Sequence, residues 1–407
     1  MVVPASVLGK GGAKAPNERV QMACIGVGGM GSGNLRSLVQ DQRVEMLAVC
    51  DVDANHRKAA MPMASNKGYA DFREVIARKD IDAVMIATPD HWHAIITGAA
   101  IKAGKDVYCE KPLAASIAEG RYVSDLVRKH KTVLQCGTWR RSGVYTRMAC
   151  EWVRNGYIGK LKHIEVGVPA RFAVRGGYSG MEPPQAIPET LNYDMWLGPC
   201  PEAEYTESRV HFNFRWLNAY APGYITDWGA HFLDVAQWGN DSDNTTPVSV
   251  KASKVAYRGV GLYDAPEDFQ IDYRYANGVT MSMVATADES QWGTKFVGEE
   301  GWVFTENSKL ETQPAELRQV RLKKTDTKLY ESKNHHRNFI DCVYSRKRTA
   351  APAEAAHRAA TCCHLGGIAA ELGDEELQFD PKRERFINSD EANKHLTRSM
   401  RGSWRLA

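Results

Sequence analysis

Val20-Gln21-Met22-Ala23-Cys24-Ile25-Gly26-Val27-Gly28-Gly29-Met30-Gly31 is an apolar run that breaks into closely spaced glycines, and a helical pattern through Leu35 and Leu38 follows it. This order predicts a buried strand, a tight turn and a helix, the context in which a glycine-rich fingerprint binds a dinucleotide. Gly26 allows the turn, Gly28 lets backbone approach a pyrophosphate, and Gly31 lets helix pack on strand. Gly29 and Met30 complete the loop, and the helix N-terminus offers free N–H groups to the anion. A second apolar strand, Val44 to Cys50, ends in Asp51, where an acid accepts both hydroxyls of an adenosine ribose. A carboxylate there repels a 2′-phosphate and favours NAD over NADP, although Arg57 and Lys58 soften that preference. The plainer alternative for Asp51-Val52-Asp53 is a helix cap before Ala54.

Further along, Lys105-Asp106-Val107-Tyr108-Cys109 reads as a short buried strand closed by Glu110-Lys111-Pro112. Proline restricts the preceding residue to extended backbone, so Lys111 projects from the strand's carboxyl end. Ligands bind at that edge of an open parallel sheet. A solvated loop lysine is the alternative reading.

Around these motifs the chain alternates strand and helix from 20 to about 140, with strands at 81–88 and 133–136 and helices at about 91–103 and 116–129. That succession predicts a doubly wound parallel sheet. After a helix near 145–155, strands are expected at 161–168, 248–257, 267–276, 278–287 and 293–305, with Asn277-Gly278 as a hairpin turn. The fold class is therefore α/β plus α+β, the second part carrying a large, mainly antiparallel sheet. The expected divisions are a linker at 1–19, a dinucleotide-binding domain at 20–142, a substrate domain at 143–380 and an extended polar tail at 381–407. Helices are expected at 335–346 and 353–371, the latter packing back on the first domain. Residues 181–225, rich in proline and aromatics, predict long loops.

The chain has 407 residues, more than one core usually supports. It is 43% apolar and 25% charged, with 52 basic against 49 acidic residues. No concentrated basic run exceeds Arg346-Lys347-Arg348, so a nucleic-acid partner is not indicated. No apolar stretch approaches the ~20 residues of a membrane helix. Cys24, Cys50, Cys109 and Cys136 fall in or beside core strands as small hydrophobes. His357, Cys362, Cys363 and His364 lie in an alanine-rich helical pattern without metal-ligand spacing, so no metal site and no disulfide framework are read. The small-residue stretch at 1–19 is consistent with a remnant of an export signal, which makes a periplasmic location the expectation and a cytoplasmic one the alternative.

Three signatures stand in one order: the glycines at 26–31, then Ala87-Thr88-Pro89-Asp90-His91-Trp92-His93, then Gly104 through Pro112. With Gly137-Thr138-Trp139-Arg140-Arg141-Ser142, Trp196-Leu197-Gly198-Pro199 and Thr226-Asp227-Trp228-Gly229-Ala230-His231, the chain resembles the glucose-fructose oxidoreductase, inositol dehydrogenase and MocA family. The resemblance implies a nucleotide-binding domain, an open-faced α+β domain and hydride exchange between a nicotinamide and a sugar or polyol. It also implies that Lys111, Asp227 and His231 form the catalytic group, that His93 and Glu110 lie near the nicotinamide, and that copies associate through the open sheet. Thr88 and Pro89 sit where the chain turns past the dinucleotide, with Trp92 just beyond.

The residues support that assignment independently. Asp227 and His231 are four apart at the start of an apolar helical pattern, a spacing that shares one helix face. Imidazole titrates near neutrality, so His231 is the candidate general base; Lys111 donates to the same substrate oxygen, and Asp227 orients substrate or supports the imidazolium. The alternative is an N-cap and a core histidine. Residues 205–238 are dense in aromatics with polar residues between them, so His211, Trp216 and Trp228, with Trp139 and Arg140, are expected to line a carbohydrate cleft. Relatives often carry an amide where this chain has Trp139. Two other functions use the same parts: an NAD-dependent glycosidase that oxidises transiently, eliminates and returns the hydride, and a non-catalytic nucleotide-binding protein.

Overall fold

The computed structural model describes residues 19–373 and 375–406. The stretch on which the export expectation rests therefore lies almost wholly outside the described residues.

The first domain is a six-stranded parallel sheet of β1 (Val20–Ile25), β2 (Val44–Cys50), β3 (Gly68–Tyr69), β4 (Ala83–Ile86), β5 (Asp106–Cys109) and β6 (Leu134–Cys136). The order is β3-β2-β1-β4-β5-β6, so the chain reverses direction of winding between β1 and β4. Strands β4 and β5 are buried along their whole length, as expected where helices cover both faces. Helices follow at Gly29–Leu38, Asp90–Lys102 and Ile117–His130. Ser116 caps the last of these by accepting from the Glu119 N–H.

The second sheet has nine strands: β7 (Leu161–Pro169), β8 (Ser249–Tyr257), β9 (Pro266–Arg274), β10 (Thr280–Thr286), β11 (Gly293–Gly298), β12 (Trp302–Glu306), β13 (Lys309–Gln313), β14 (Leu377–Asp380) and β15 (Arg385–Phe386). Their order is β13-β12-β11-β7-β10-β9-β8-β14-β15, antiparallel except where β10 runs parallel to β7. Strand β10 alternates buried Met281, Met283 and Ala285 with half-exposed partners. Gly278, at φ +87°, turns the chain between β9 and β10. The buried face receives the helix Gly229–Gly239 and the helix Ala353–Leu372.

Three expectations need correction. The single strand expected over 293–305 is a hairpin, β11 to β12, because Gly298 N–H donates to Gly301 C=O and no Cβ fits at Gly301, which would sit 2.0 Å from the Gln313 carbonyl. The tail is not extended: β15 and the helix Asp390–Lys394 follow β14, and Arg398 then reaches back to pair with Glu119 at 2.6 Å. Trp404 meets Trp92 edge-to-face with centroids 4.7 Å apart. Thirdly, the helix His335–Ser345, placed by chain order in the second domain, packs Phe339 and Ile340 among Met22, Cys24 and Leu35 of the first. The helix Ala353–Leu372 spans both units: Ala353 and Ala356 join the first core, while Leu365 and Ile368 join the second.

Among the described residues all the cysteines are free and buried. His364 bonds the Ala114 carbonyl and His357 bonds Glu384, so the His/Cys cluster there is packing. No helix of the described residues is long and apolar enough to cross a membrane.

Candidate active site

A cleft of about 930 Å³ lies along the carboxyl ends of β1, β2, β4 and β5 and is closed on its far side by the second domain. Gly26, at φ +81°, opens it: a Cβ there would stand 2.6 Å from the Ala87 carbonyl carbon. Gly31 is tighter still, its Cβ position lying 2.0 Å from Gly26 C=O, so strand, turn and helix close only on glycine. Gly28, Gly29 and the half-exposed Met30 line the opening. Asp51 is anchored at the same edge, its carboxylate accepting from the Val27 N–H at 2.8 Å and the Asp53 N–H at 2.9 Å.

Deeper in, two loops are tied together. His93 has Pro112 C=O 2.7 Å from Nδ1 and Thr88 C=O 2.9 Å from Nε2. Burial lowers its pKa, so a neutral ring donates to one of these carbonyls while packing between both. Glu110 accepts from Asn34 Nδ2 at 2.8 Å and from the Lys111 N–H at 3.2 Å. Its carboxyl is pushed up by burial. Trp92 donates from Nε1 to Met195 C=O at 3.0 Å. Lys111 is thereby held with its Nζ on Asp227, 2.6 Å from Oδ1 and 2.9 Å from the carbonyl oxygen. Arg215 Nε reaches the same Oδ1 at 3.1 Å. These two cations hold the Asp227 carboxyl well below the usual carboxylate range against the opposing effect of burial.

His231 lies on the first turn of its helix, 8% exposed, with no partner for Nδ1. Burial lowers its pKa well below the ordinary value, and the Lys111 and Arg140 charges add to that. It is thus a neutral imidazole with an unused nitrogen in the cleft wall, the state needed to accept a proton. Asp227 precedes the helix rather than starting it; its N–H bonds Gly223 C=O, so a preceding turn already coils the backbone and brings both side chains to the cleft.

Of the residues expected against a sugar, Trp139 and Trp228 line the cleft, the former edge-on to His231 at 5.8 Å. Arg140 lines it too, paired with Glu306 at 2.7 Å and set over the Phe232 ring at 4.4 Å. Trp216 does not: it ends the short 3-10 helix His211–Trp216, fully buried and stacked on Phe172 at 4.7 Å. His211 lines the opposite end, 3.6 Å from Asp53 and edge-on to His56, close to Asp51 rather than to Lys111. Ligand atoms of Asp53, His56 and His211 lie within 4.8 Å of one another, a grouping the sequence did not suggest. Arg141 is withdrawn into a buried pair with Asp234 at 2.7 Å.

Asp90, Arg175, Trp292 and His56 line the cleft without having been singled out. Asp90 follows the Thr88-Pro89 turn at a helix start, where an acid also serves the helix dipole, and that ordinary role hid it. Burial pushes its carboxyl up to about 7.

Residues 143–406 match the family model described as Oxidoreductase family, C-terminal alpha/beta domain, and residues 20–138 match that described as Oxidoreductase family, NAD-binding Rossmann fold. The chain belongs to the Gfo/Idh/MocA oxidoreductase family.

Relatives within this family include the inositol 2-dehydrogenase of Salmonella typhimurium, 33% identical over 204 residues, which are 46% of this chain and 56% of that protein. A glycosyl hydrolase family 109 protein of Stenotrophomonas maltophilia is 28% identical over 300 residues, 62% of this chain and 63% of that protein. These matches thus span between about half and two thirds of the relatives' lengths. The fold is shared with the WlbA dehydrogenase from Bordetella pertussis, solved with NADH and UDP-GlcNAcA, at a TM-score of 0.67 and 15% identity, covering 89% of this chain and 99% of that one. The Gfo/Idh/MocA site here fits a dinucleotide. Gly26 and Gly31 admit no Cβ, Gly29 leaves open space over the turn, Asp51 stands at the ribose edge, and the buried Thr88 hydroxyl has no protein partner.

Proposed function

We propose that this protein is an NAD-dependent oxidoreductase that exchanges a hydride with a secondary hydroxyl of a sugar, polyol or glycoside. The observation that carries the reading is a neutral His231 beside the Lys111–Asp227 pair, in one cleft with the glycine turn and Asp51. Bound at Gly26, Gly28, Gly29, Met30 and Asp51, NAD supplies the hydride acceptor. His231 accepts the hydroxyl proton as the hydride leaves the adjacent carbon. Lys111 donates to the same oxygen and favours its alkoxide character, and Asp227 fixes Lys111 through the 2.6 Å contact. Asp51 disfavours a 2′-phosphate, which supports NAD over NADP. Thr88, Pro89, His93 and Glu110 fix the loops on which Lys111 rides.

Incubation with NAD and a panel of neutral and acidic carbohydrates, read as NADH absorbance and keto product, tests this. Silence with every substrate in both the oxidative and reductive directions refutes it.

A second reading is favoured by the longer alignment with the glycosyl hydrolase family 109 protein. In that reading a ring carbon is oxidised, the neighbouring C–H loses its proton, the aglycone leaves, and the hydride returns after water adds. Release of an aryl leaving group with no net NADH supports it.

Association of copies through the outer face of the nine-stranded sheet, with exposed Lys251 and Lys254 on β8, is part of the proposal and is tested by light scattering. An exported location, supported by the composition of residues 1–19, is tested by cell fractionation.

A further inference from the structure

Where the second domain lines the cleft, Arg175 and Arg215 stand with Asp227 as their one acidic neighbour in the lining, while Asp51, Asp53, Asp90 and Glu110 lie on the dinucleotide side. Lys111 and Arg215 share one carboxylate, Asp227. Arg140 is spoken for by Glu306. Arg175 is different: its guanidinium lies 3.9 Å from the centroid of the Phe212 ring, and its backbone is pinned to Asn213 at 2.9 and 3.0 Å. Among the described residues its side chain has no carboxylate within ion-pair distance. Arg215 lies 4.4 Å from the same Phe212 ring, so one aromatic ring carries two guanidinium groups. His231 adds no negative charge, and burial raises the carboxyls of both Asp90 and Glu110.

Two like charges held on one ring, of which Arg215 has a share in the Asp227 carboxylate and Arg175 has none, are an arrangement that a neutral ligand leaves uncompensated. Guanidinium groups present forked donors that match a carboxylate or a phosphate. We propose that the substrate is a sugar bearing an anionic group, a carboxylate or a phosphate ester, which Arg175 and Arg215 grip on the Phe212 side while the reacting hydroxyl lies at Lys111 and His231. This rests on the oxidoreductase reading and narrows its substrate class. The Trp228 ring in the cleft wall takes the C–H side of the sugar ring, and the charge fixes which end of the sugar points away from the reacting carbon.

The test is calorimetric titration of the NAD-loaded protein with glucuronate, a hexose monophosphate and neutral methyl glucoside, run beside NADH formation on the same compounds. At least one anionic sugar is expected to bind ~10-fold or more tightly than the neutral one, with the advantage shrinking as salt is raised. Whichever of glucuronate or phosphate binds tighter identifies the anion. Arg175→Gln is expected to erase most of that ratio and Arg175→Lys to retain part of it, while NAD affinity, measured separately, reports that both variants are folded. Equal affinity for charged and neutral sugars, or an unchanged ratio in Arg175→Gln, overturns the inference. If a neutral sugar is then still oxidised, the oxidoreductase reading stands without it; if anions bind selectively but no compound yields NADH, it is that reading which fails.

Discussion

Replacing Lys111 by Met and Asp227 by Asn, singly and together, measures the contact on which the site depends, before any substrate is known. The two residues belong to different domains and meet at 2.6 Å, with side chains only 10% and 14% exposed. Removing one member of a buried pair costs ~3–5 kcal/mol because the other is left uncompensated. Here Arg215 remains 3.1 Å from Asp227, which places Lys111→Met near the lower end, about 3 kcal/mol. Asp227→Asn leaves two cations facing a neutral amide and is expected to cost a similar amount. In the double variant neither charge is stranded by the other, so the two losses fall short of additivity by about 2 kcal/mol. Urea unfolding followed by tryptophan fluorescence at neutral pH supplies the four free energies. The acid limb gives a second reading of the same pair. Asp227 is held below the usual carboxylate range, so its stabilising contribution is complete above about pH 4 and is lost as pH falls through the lowered value. The gap between wild type and Asp227→Asn therefore narrows below pH ~4. Additivity within ~0.5 kcal/mol, with no narrowing of that gap in acid, refutes the reasoning.

Asp90 carries the opposite sign: its carboxyl is raised to about 7, so the folded protein keeps a proton that the unfolded chain releases above about pH 4, and stability falls as pH rises between those values. Asp90→Asn should remove that part of the slope and gain at most roughly 4 kcal/mol at pH 8 in the apoprotein, whereas parallel stability curves for the two proteins would contradict it. Gly31→Ala forces a Cβ to within 2.0 Å of Gly26 C=O, so stability should fall by at least ~2 kcal/mol and NAD binding, followed by calorimetry, should weaken at least ~10-fold; a variant that binds normally would exclude the turn as the dinucleotide cradle. Asp51→Asn keeps an acceptor for the Val27 N–H but loses the charge, and the NADP-to-NAD affinity ratio should rise ~10-fold, an unchanged ratio counting against Asp51 as the discriminating group.

What could be read in advance depended on whether a short stretch of chain determined the outcome. The glycine turn, the acid after β2 and the lysine after β5 are each fixed by local geometry, and the cleft gathers all three. The four-residue spacing of Asp227 and His231 brought them to one cleft although the helix begins only at Gly229, because the preceding turn coils the same way. Loop aromatics were harder. Trp216 and Trp228 lie in similar surroundings along the chain, yet one is fully buried against Phe172 and the other faces the cleft, a choice made by distant partners and not by neighbours in sequence. Arg140 and Arg141 divide in the same way, one to the cleft and one to Asp234. The break between β11 and β12 was marked in the sequence by Gly298-Glu299-Glu300-Gly301 but was passed over because Phe296-Val297 and Trp302-Val303-Phe304 stand so close on either side of it. Asp90 was overlooked because an acid at a helix start has an ordinary explanation.

Trp404 on Trp92, with Met400 and Leu406 beside it, closes the core of a domain whose strands were all made long before those residues leave the ribosome. The helix Ala353–Leu372 contributes to the same core from equally late in the chain. During synthesis Phe72 and Trp92 therefore lack these partners until the whole of the second sheet has emerged. Truncation near 400 should leave that apolar flank uncovered in the finished protein, with increased binding of an apolar dye as the expected readout.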